Sequence, residues 1–447
     1  MLPADHPQRR ELAAELHARP PEPIETPSRA SYIALLLEPE QRAQELSHLA
    51  TLCTQFAVAP PDALATHFSV QLGSLRLKWE RHGEFSSIAV FADGLGAHPF
   101  SRPAAALLPA GWLQALPGTT IAAAHAELVG ADEATLDAAA LVRYFDSHSA
   151  VGAQIGDGAG IAFSDFRIHS DGFARFVVGD RGLTPRQAGR MLQRLFEIEA
   201  YRMMALLALP IARRLTPRTL AIERALSALT GRIAAENGDD ESLLHELTQL
   251  AAGVEDELTS SDFRFGACRA YHALVVTRIA ELREHRVAGI QTIEEFMARR
   301  LNPAVETCAT VARRLHDLSE RVAQISALLS TRVDIKRERQ NQDLLASMDR
   351  RARLQLRLQQ TVEGLSLAAI VYYVVGLVAY VAKAGKSAGL PIESDLLVGL
   401  ALPVVALTVL LVLRRARRRL HRAEPDGGDE RAGRPGAASG HPTRSLN

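Results

Sequence analysis

Three polar residues near the middle of the sequence have the side chains of a binding or acid–base site. They are Asp165, Arg167 and Asp171. Two carboxylates and a guanidinium can hold a charged ligand or support proton transfer, and they can also form an ion pair that braces a hairpin. We therefore expect a structural ion pair here, with a ligand pocket of an enzyme as the alternative.

Recognised catalytic and metal-binding motifs are absent from the sequence. It contains no HExxH, no GxSxG and no His/Cys cluster at metal-ligand spacing. The glycine-rich residues 156–160 precede a strand-like segment and not a helix, which predicts a tight turn and not a phosphate loop. Cys53, Cys268 and Cys308 lie far apart, as is typical of small core residues. We expect no cofactor, no metal ion and no enzymatic activity.

The polar group lies on a predicted β-hairpin. Its strands are residues 159–166 and 173–178, and the turn carries the favoured pair Asp171-Gly172. Near-alternation over residues 68–79, followed by residues 85–92, predicts another hairpin. A buried strand at residues 31–37 precedes an amphipathic helix. Residues 1–182 are therefore predicted to form a mixed α/β domain, and the whole chain to have an α+β fold.

A helical region is predicted to begin at Thr184. Threonine as the N-cap, Pro185 at the first helical position and Gln187 at the third form a capping signature. The polar residues of this helix, including Glu197 and Tyr201, are expected to form a buried structural network. We assign residues 183–300 to a helical domain.

Residues 301–363 are predicted to form a stalk helix with an apolar seam. The seam consists of Val311, Leu315, Leu318, Val322, Ile325 and Leu329, at spacings of four and three. This spacing is typical of a coiled coil but covers only about two and a half heptads. The seam therefore predicts either self-association or packing within the chain's own domain.

Two apolar segments without charged residues follow, at residues 364–381 and 396–413. The first would cover about 27 Å as a helix, close to the ~30 Å hydrocarbon core of a bilayer. Arginines precede the first segment and follow the second, so the positive-inside rule places both flanks in the cytoplasm. Residues 364–413 are thus predicted to be a two-helix transmembrane hairpin, and residues 414–447 a basic, then disordered, cytoplasmic tail.

Two ionisable residues lie at the ends of the first apolar segment. Glu363 is at its predicted cytoplasmic end, and Lys383 is at its other end. Ionisable groups at a membrane boundary either extend into the headgroup region or have a function. We regard both as candidate pore or membrane-boundary residues.

Several blocks of the sequence resemble a known family. These are residues 6–20, Asp165-Phe166-Arg167, residues 189–203 and residues 332–373. Together they resemble a bacterial family of predicted membrane-anchored proteins, the domain of unknown function 3422. The resemblance implies a membrane topology and no established activity.

The order of the segments is also similar to that of CorA-type divalent-cation channels. In that family a cytoplasmic α/β domain precedes a long stalk helix, a first span, a short external loop and a second span with a basic C-terminus. The loop of that family begins with Gly-Met-Asn, whereas residues 380–385 here read Tyr-Val-Ala-Lys-Ala-Gly. The motif for cation selection is therefore missing.

These patterns predict a protein anchored in the bacterial inner membrane, with both termini in the cytoplasm. The expected function is that of a self-associating, non-enzymatic assembly or regulatory protein. The alternative is an oligomeric ion channel or transporter with CorA-like topology. The expected partners are the lipid bilayer and further copies of the chain. The net charge of +0 gives no indication of a nucleic-acid partner, and none is expected.

Overall fold

The computed structural model describes residues 3–15, 20–130, 136, 138–145, 150–235, 239–387 and 394–421. The chain divides into two compact units, Met1–Val333 and Asp334–Asn447. The predicted domains at residues 1–182 and 183–300 both lie within the first unit. They form one unit because the first helix after residue 182 packs directly on the sheet. The predicted tail from residue 422 onwards lies outside the described residues.

The nine strands of the described residues form one sheet in the first unit. The strands are β1 (Ser28–Leu36), β2 (His67–Leu72), β3 (Leu75–Arg81), β4 (Phe85–Asp93), β5 (Thr119–Gly130), β6 (Val151–Ile155), β7 (Gly160–Ser164), β8 (Ala174–Asp180) and β9 (His285–Arg286). Their order in the sheet is β2-β3-β4-β1-β5-β8-β7-β6-β9. The pair β5–β8 is parallel, and the other neighbouring pairs are antiparallel.

The helices of the described residues are long towards the C-terminus. They are α1 (Arg9–Glu15), α2 (Gln41–Gln55), α3 (Ala138–Phe145), α4 (Pro185–Leu206), α5 (Ala208–Ala234), α6 (Asp240–Leu282), α7 (Ile293–Arg300), α8 (Asn302–Ser387) and α9 (Ser394–His421). A largely antiparallel sheet followed by long helices confirms the predicted α+β class.

Both predicted hairpins are present. β3 and β4 pair around a short connection, and β7 pairs with β8 so that Ser164 lies opposite Phe176. Residues 68–79 differ from the prediction, because they form two paired strands and not one. Gly73, with φ of +61°, provides the left-handed turn between β2 and β3.

Helix α4 begins with the predicted capping box. The Gln187 N–H donates to Thr184 Oγ1, and Gln187 Oε1 accepts from the Thr184 N–H at 2.9 Å. Two of the N–H groups that a helix N-terminus leaves unpaired are thereby satisfied. The predicted start of this helix is confirmed.

Helices cover both faces of the sheet. The side chains of one face pack against α4, in a core that includes Tyr32, Phe176, Leu195, Phe196 and Ile198. The opposite face packs against α2 and the segment at residues 104–116, in a core that includes Leu49, Leu52, Trp79, Ile88 and Trp112. Period-two alternation along the strands produces these two apolar faces. The result is a helix–sheet–helix sandwich.

Charged side chains connect α4 to α6. Glu197 accepts from Gln193 at 2.8 Å and forms an ion pair with Arg278 of α6. Arg278 and Arg194 both bond Glu281, at 3.1 Å and 2.9 Å. Burial raises the pKa of Glu197, while Arg278 opposes that rise. The predicted structural network of this helix therefore extends to a second helix.

The apolar seam of α8 packs within its own chain. Val311, Leu315, Leu318, Val322 and Leu329 are buried. The last three pack against α5 and α6 in a cluster that includes Leu226, Leu229, Leu243, Leu247 and Val254. The first two pack against the same helices in a second cluster, which includes Leu215 and Phe265. The interpretation of this seam as a self-association surface is therefore wrong. Heptad spacing indicates that a helix face is covered, but it does not say by which chain.

The second unit contains the rest of α8 and helix α9. In the described residues, one helix has an 18-residue stretch apolar enough to cross a membrane, with a mean hydropathy of 2.2 and 6% of the stretch buried. A shorter apolar stretch in α9 covers Gly399–Val412. The second predicted span at residues 396–413 therefore corresponds to a segment that is shorter than a full span in the described residues.

We predict that Gly189→Ala destabilises the first unit by about 2 kcal/mol or more. A Cβ at Gly189 would lie 1.7 Å from the carbonyl oxygen of Glu22, and the backbone cannot move aside cheaply. Urea unfolding followed by tryptophan fluorescence measures this effect, because both tryptophans, Trp79 and Trp112, lie in the first unit.

The matched control is Gly253→Ala in helix α6. A Cβ at Gly253 would meet nothing within 4 Å. Alanine at an exposed helical position should stabilise the protein by roughly 0.5–1 kcal/mol. Equal unfolding midpoints for the two variants would contradict the close approach of α4 to the N-terminal segment.

Candidate functional site

The connection between β7 and β8 forms one wall of a surface cleft. We call it the arginine cleft; it is lined by Asp165, Phe166, Arg167, Arg202, Leu206, Phe296, Met297, Arg300 and Leu301. Its volume is about 390 Å³. Helix α4 supplies Arg202 and Leu206, and α7 with the residue after it supplies the last four residues. Three arginines thus come together from distant parts of the sequence.

Asp165 holds the connection in shape. Its side chain is 0% exposed, and its two oxygens accept from different groups. Oδ1 accepts from the Arg167 N–H at 3.2 Å, and Oδ2 lies 3.1 Å from His169 Nε2. Asp165 therefore braces the connection through a backbone N–H and His169, and it forms no ion pair with the Arg167 guanidinium among the described residues.

Phe166 forms the apolar floor of the cleft. Its φ is +51°, a left-handed conformation that is unfavourable for a bulky side chain. Its ring stacks on Phe296 at 5.1 Å and meets Phe176 edge-on at 5.7 Å. The Arg202 guanidinium lies 5.4 Å from the Phe166 ring. These contacts on several sides hold the strained residue in place.

The three arginines of the cleft differ in their partners. Arg202 donates to Glu199 from Nε at 2.6 Å and from Nη2 at 2.5 Å, so its charge is balanced. Arg167 and Arg300 are exposed, and neither guanidinium has an acidic or hydrogen-bonding partner among the described residues. The cleft therefore carries two uncompensated positive charges beside its apolar floor.

Asp171 lies in a different pocket from Asp165 and Arg167. Its Oδ1 accepts from the Phe173 N–H at 3.0 Å, and its Oδ2 is 4.0 Å from Nε2 of the buried His125. This pocket of about 470 Å³ includes His125, Asp171 and Phe173 in its lining. The structure thus brings Asp165 and Arg167 together at the cleft and separates Asp171 from them.

The sequence analysis did not predict a row of three polar side chains, in which His125 lies between Ser31 and Asp171. Ser31 on β1 lies directly opposite His125 on β5, and Ser31 Oγ is 2.9 Å from His125 Nδ1. The Ser31 hydroxyl also accepts from the Ala105 N–H at 2.9 Å. No motif in the sequence connects these residues, because only strand pairing brings them together.

This alignment is suited to a structural role and not to a nucleophilic one. A catalytic serine must reach its substrate, whereas Ser31 is 1% exposed and its oxygen is occupied by a backbone N–H. The His125 ring is 3% exposed and stacks on Phe173 at 3.9 Å. Burial lowers the pKa of His125 to about 4, so the ring is neutral at pH 7.

The three cysteines lie in the interior, as expected of small core residues. Cys268 of α6 and Cys308 of α8 belong to one apolar cluster. The described residues contain no group of three or more His, Cys, Asp or Glu side chains that could hold a metal ion.

Glu363 and Lys383 both lie on α8, in the second unit. The helical rise of ~1.5 Å per residue places them about 30 Å apart along the helix axis. The structure therefore puts them at opposite ends of the apolar segment and not at one site. Their assignment as pore or membrane-boundary residues stays a prediction.

We predict that stability falls as the pH is lowered from 6.5 towards 4, because of His125. Its pKa is about 4 in the folded protein against 6.5 for a free histidine, so the unfolded chain binds the proton first. The free energy of unfolding should fall by about 3 kcal/mol by pH 4. Above pH 6.5 this contribution to stability should be fully present.

The variant His125→Asn isolates this effect from the titration of carboxylates. Its amide oxygen can still accept from Ser31, but it does not titrate. Unfolding free energies of both proteins, measured by urea titration across this pH range, should diverge towards low pH. If the free energies of unfolding of the two proteins ran parallel, His125 would not titrate between pH 6.5 and pH 4.

Comparison with known proteins identifies a family but no characterised relative. No curated protein and no solved structure matches the chain significantly. The family model described as a protein of unknown function, DUF3422, matches residues 4–420, nearly all of the described chain. The chain therefore belongs to the DUF3422 family, as the resemblance of its sequence blocks implied.

Proposed function

We propose that this protein is anchored in the bacterial inner membrane and self-associates there as a non-enzymatic assembly or regulatory protein. Both termini would lie in the cytoplasm. The observation that carries the proposal is the continuity of α8. This helix packs into the first unit at its start and continues to an 18-residue apolar stretch of which only 6% is buried.

Exposed apolar side chains along this stretch support a lipid environment. Leu365, Ile370 and Leu377 are 76%, 45% and 64% exposed. Leaving side chains of this size in water is unfavourable by roughly 1.5–3 kcal/mol each, whereas lipid would cover them. The shorter apolar stretch Gly399–Val412 would provide the return span.

Charged residues before the first apolar stretch support the proposed orientation. Arg350, Arg353 and Arg357 recur at spacings of three and four, so they share one face of α8. Arg414, Arg415 and Arg417 follow the second apolar stretch. Basic residues at both flanks favour a cytoplasmic location for both, with the connection between the spans outside.

A second set of exposed apolar residues supports self-association. Leu344 and Met348 are 60% and 62% exposed, and the pair Leu358 and Val362 repeats their spacing two heptads later. We call these four residues the distal seam. Apolar residues that share one helix face require cover, and copies held in one membrane could supply it to each other.

The alternative is an oligomeric ion channel or transporter with CorA-like topology. The observation that favours it is the same continuity of the charged part of α8 with the first apolar segment. One hairpin cannot enclose a pore, so this function requires a ring of several copies. Glu363 and Lys383 would then lie at the two ends of the pore.

We predict that the full chain remains in the membrane pellet after an alkaline carbonate wash of cells that express it. A variant with Ile370→Asp, Leu377→Asp, Val404→Asp and Leu407→Asp should move to the supernatant. Aspartate at the centre of a span is unfavourable by about 2.5–3.5 kcal/mol per residue. Immunoblotting of both fractions measures the distribution.

The control variant carries Leu64→Asp and Leu328→Asp, which replace exposed leucines of the first unit. It should stay in the pellet with the wild type. Recovery of the wild-type chain in the supernatant would rule out the anchoring proposal.

We predict that native mass spectrometry in lipid nanodiscs detects a homo-oligomer that depends on the distal seam. Leu344→Gln combined with Val362→Gln should reduce the subunit number, because both side chains point in the same direction on α8. Leu356→Gln is the matched control. Leu356 is 59% exposed but points about 120° away from Leu344.

The subunit number also separates the two functions. A monomer would contradict self-association, and a monomer or dimer would rule out a pore lined by first spans. A closed ring of four or more would make ion flux in liposomes the deciding measurement, with Glu363→Gln and Lys383→Gln as the first variants.

A further inference from the structure

We infer that the arginine cleft binds a small soluble organic anion, a phosphate or carboxylate carried on an aromatic group. The ligand class follows from the two kinds of surface that the cleft combines. Arg167 and Arg300 supply guanidinium groups, and Phe166 and Phe296 supply a stacked aromatic floor. The inference concerns the first unit alone and does not rest on the proposed membrane anchoring.

The charge of the lining favours an anion. The cleft contains Arg167, Arg202 and Arg300 against one lining carboxylate, Asp165, while Glu199 balances Arg202. The sum over these five side chains is three positive and two negative charges, a net charge of +1. The side chain of Asp165 has no exposed surface, so the charges that an entering ligand meets are those of the arginines.

Unused hydrogen-bond donors point to the same ligand. A guanidinium has a planar set of N–H groups that matches a carboxylate or phosphate in bidentate fashion. Arg167 and Arg300 keep all their side-chain donors, since neither has a partner among the described residues. Arg202 also lines the cleft, but its guanidinium is held by Glu199 and by its contact with Phe166.

The apolar floor selects for an aromatic or similarly flat group. Phe166 and Phe296 stack with an interplanar angle of 13°, and Met297, Leu206 and Leu301 extend the apolar surface. The volume of about 390 Å³ lies within the range of ~300–1,000 Å³ that is usual for small-molecule pockets. The strained φ of Phe166 is of the kind that clusters at ligand sites.

Isothermal titration calorimetry of the full chain in phosphatidylcholine nanodiscs tests the inference, with phenyl phosphate as the probe. We expect phenyl phosphate to bind more tightly than inorganic phosphate, and phenol not to bind. Raising the ionic strength should weaken the binding, because the arginines are exposed. Equal affinity for phenyl phosphate and inorganic phosphate would overturn the aromatic part of the inference.

Two variants assign the binding to the cleft. Arg167→Gln and Arg300→Gln should each weaken the binding of phenyl phosphate about tenfold, the usual effect of losing one charged hydrogen-bond donor. The matched control is Arg299→Gln. Arg299 is the neighbouring exposed residue of α7 and lines a different surface pocket. Equal losses for Arg299→Gln and Arg300→Gln would overturn the assignment to the cleft.

Two further measurements are needed. The first shows whether a variant loses binding without unfolding, and the second shows whether the ligand is a soluble anion or a lipid headgroup. Each variant should unfold in urea at the wild-type midpoint, because the substituted side chains are exposed. Replacing phosphatidylcholine with anionic lipid should leave the affinity for phenyl phosphate unchanged. A loss of binding in anionic nanodiscs would overturn the inference and identify a lipid headgroup as the occupant. No detectable binding of phenyl phosphate to the folded chain would also overturn it.

Discussion

The close packing of α4 on the sheet is the contact on which the first unit depends. Gly189 lets the helix backbone approach Glu22, and Leu195 and Phe196 fill the space above Tyr32. On its other side α4 is bonded to α6 through Glu197 and Arg278. Because α6 in turn packs against α5 and α8, each helical layer takes its position from the layer below it. A shift of α4 would therefore expose part of the sheet face and would also displace α6 and the helices packed against it.

The arginine cleft follows from the same packing. The C-terminal half of α4 carries Arg202 past the end of β7, where Asp165 and His169 hold the connection to β8. Helix α7 then completes the cleft, since Phe296 reaches Phe166. The strained backbone of Phe166 is held by neighbours from three separate elements. The cleft is thus a product of tertiary structure, with no local motif of its own.

Local patterns of the sequence predicted local structure well. The capping box at Thr184 and the Asp171-Gly172 turn are determined by residues within a few positions of each other, and both are confirmed. Longer elements were less predictable. Helix α6 is continuous over Asp240–Leu282, since no proline or glycine interrupts it between residues 258 and 265. Helix α5 continues through Pro217, although proline usually breaks or kinks a helix.

The candidate site was predictable only in part, for a physical reason. Asp165 and Arg167 are near each other in sequence and lie at one cleft, whereas Asp171 faces His125 on the other side of the connection. Sequence proximity does not reveal which face of a sheet a side chain meets. Arg300 lies far along the chain from Arg167 and was not predicted. Ser31 and His125 became neighbours through strand pairing, which leaves no signal in either segment.

Helix α8 shows how the same apolar pattern can have two meanings. Up to Val333 its seam is covered by α5 and α6, and Arg332 contacts the end of that pair, bonding the Ile233 carbonyl at 3.2 Å. Beyond this point Ile335, Leu344 and Met348 are exposed. The change in burial therefore coincides with the end of the intrachain partners, although the helix itself continues. Leucines on an exposed helix face are unfavourable in water, so the same apolar pattern stabilises the fold only where another surface covers it.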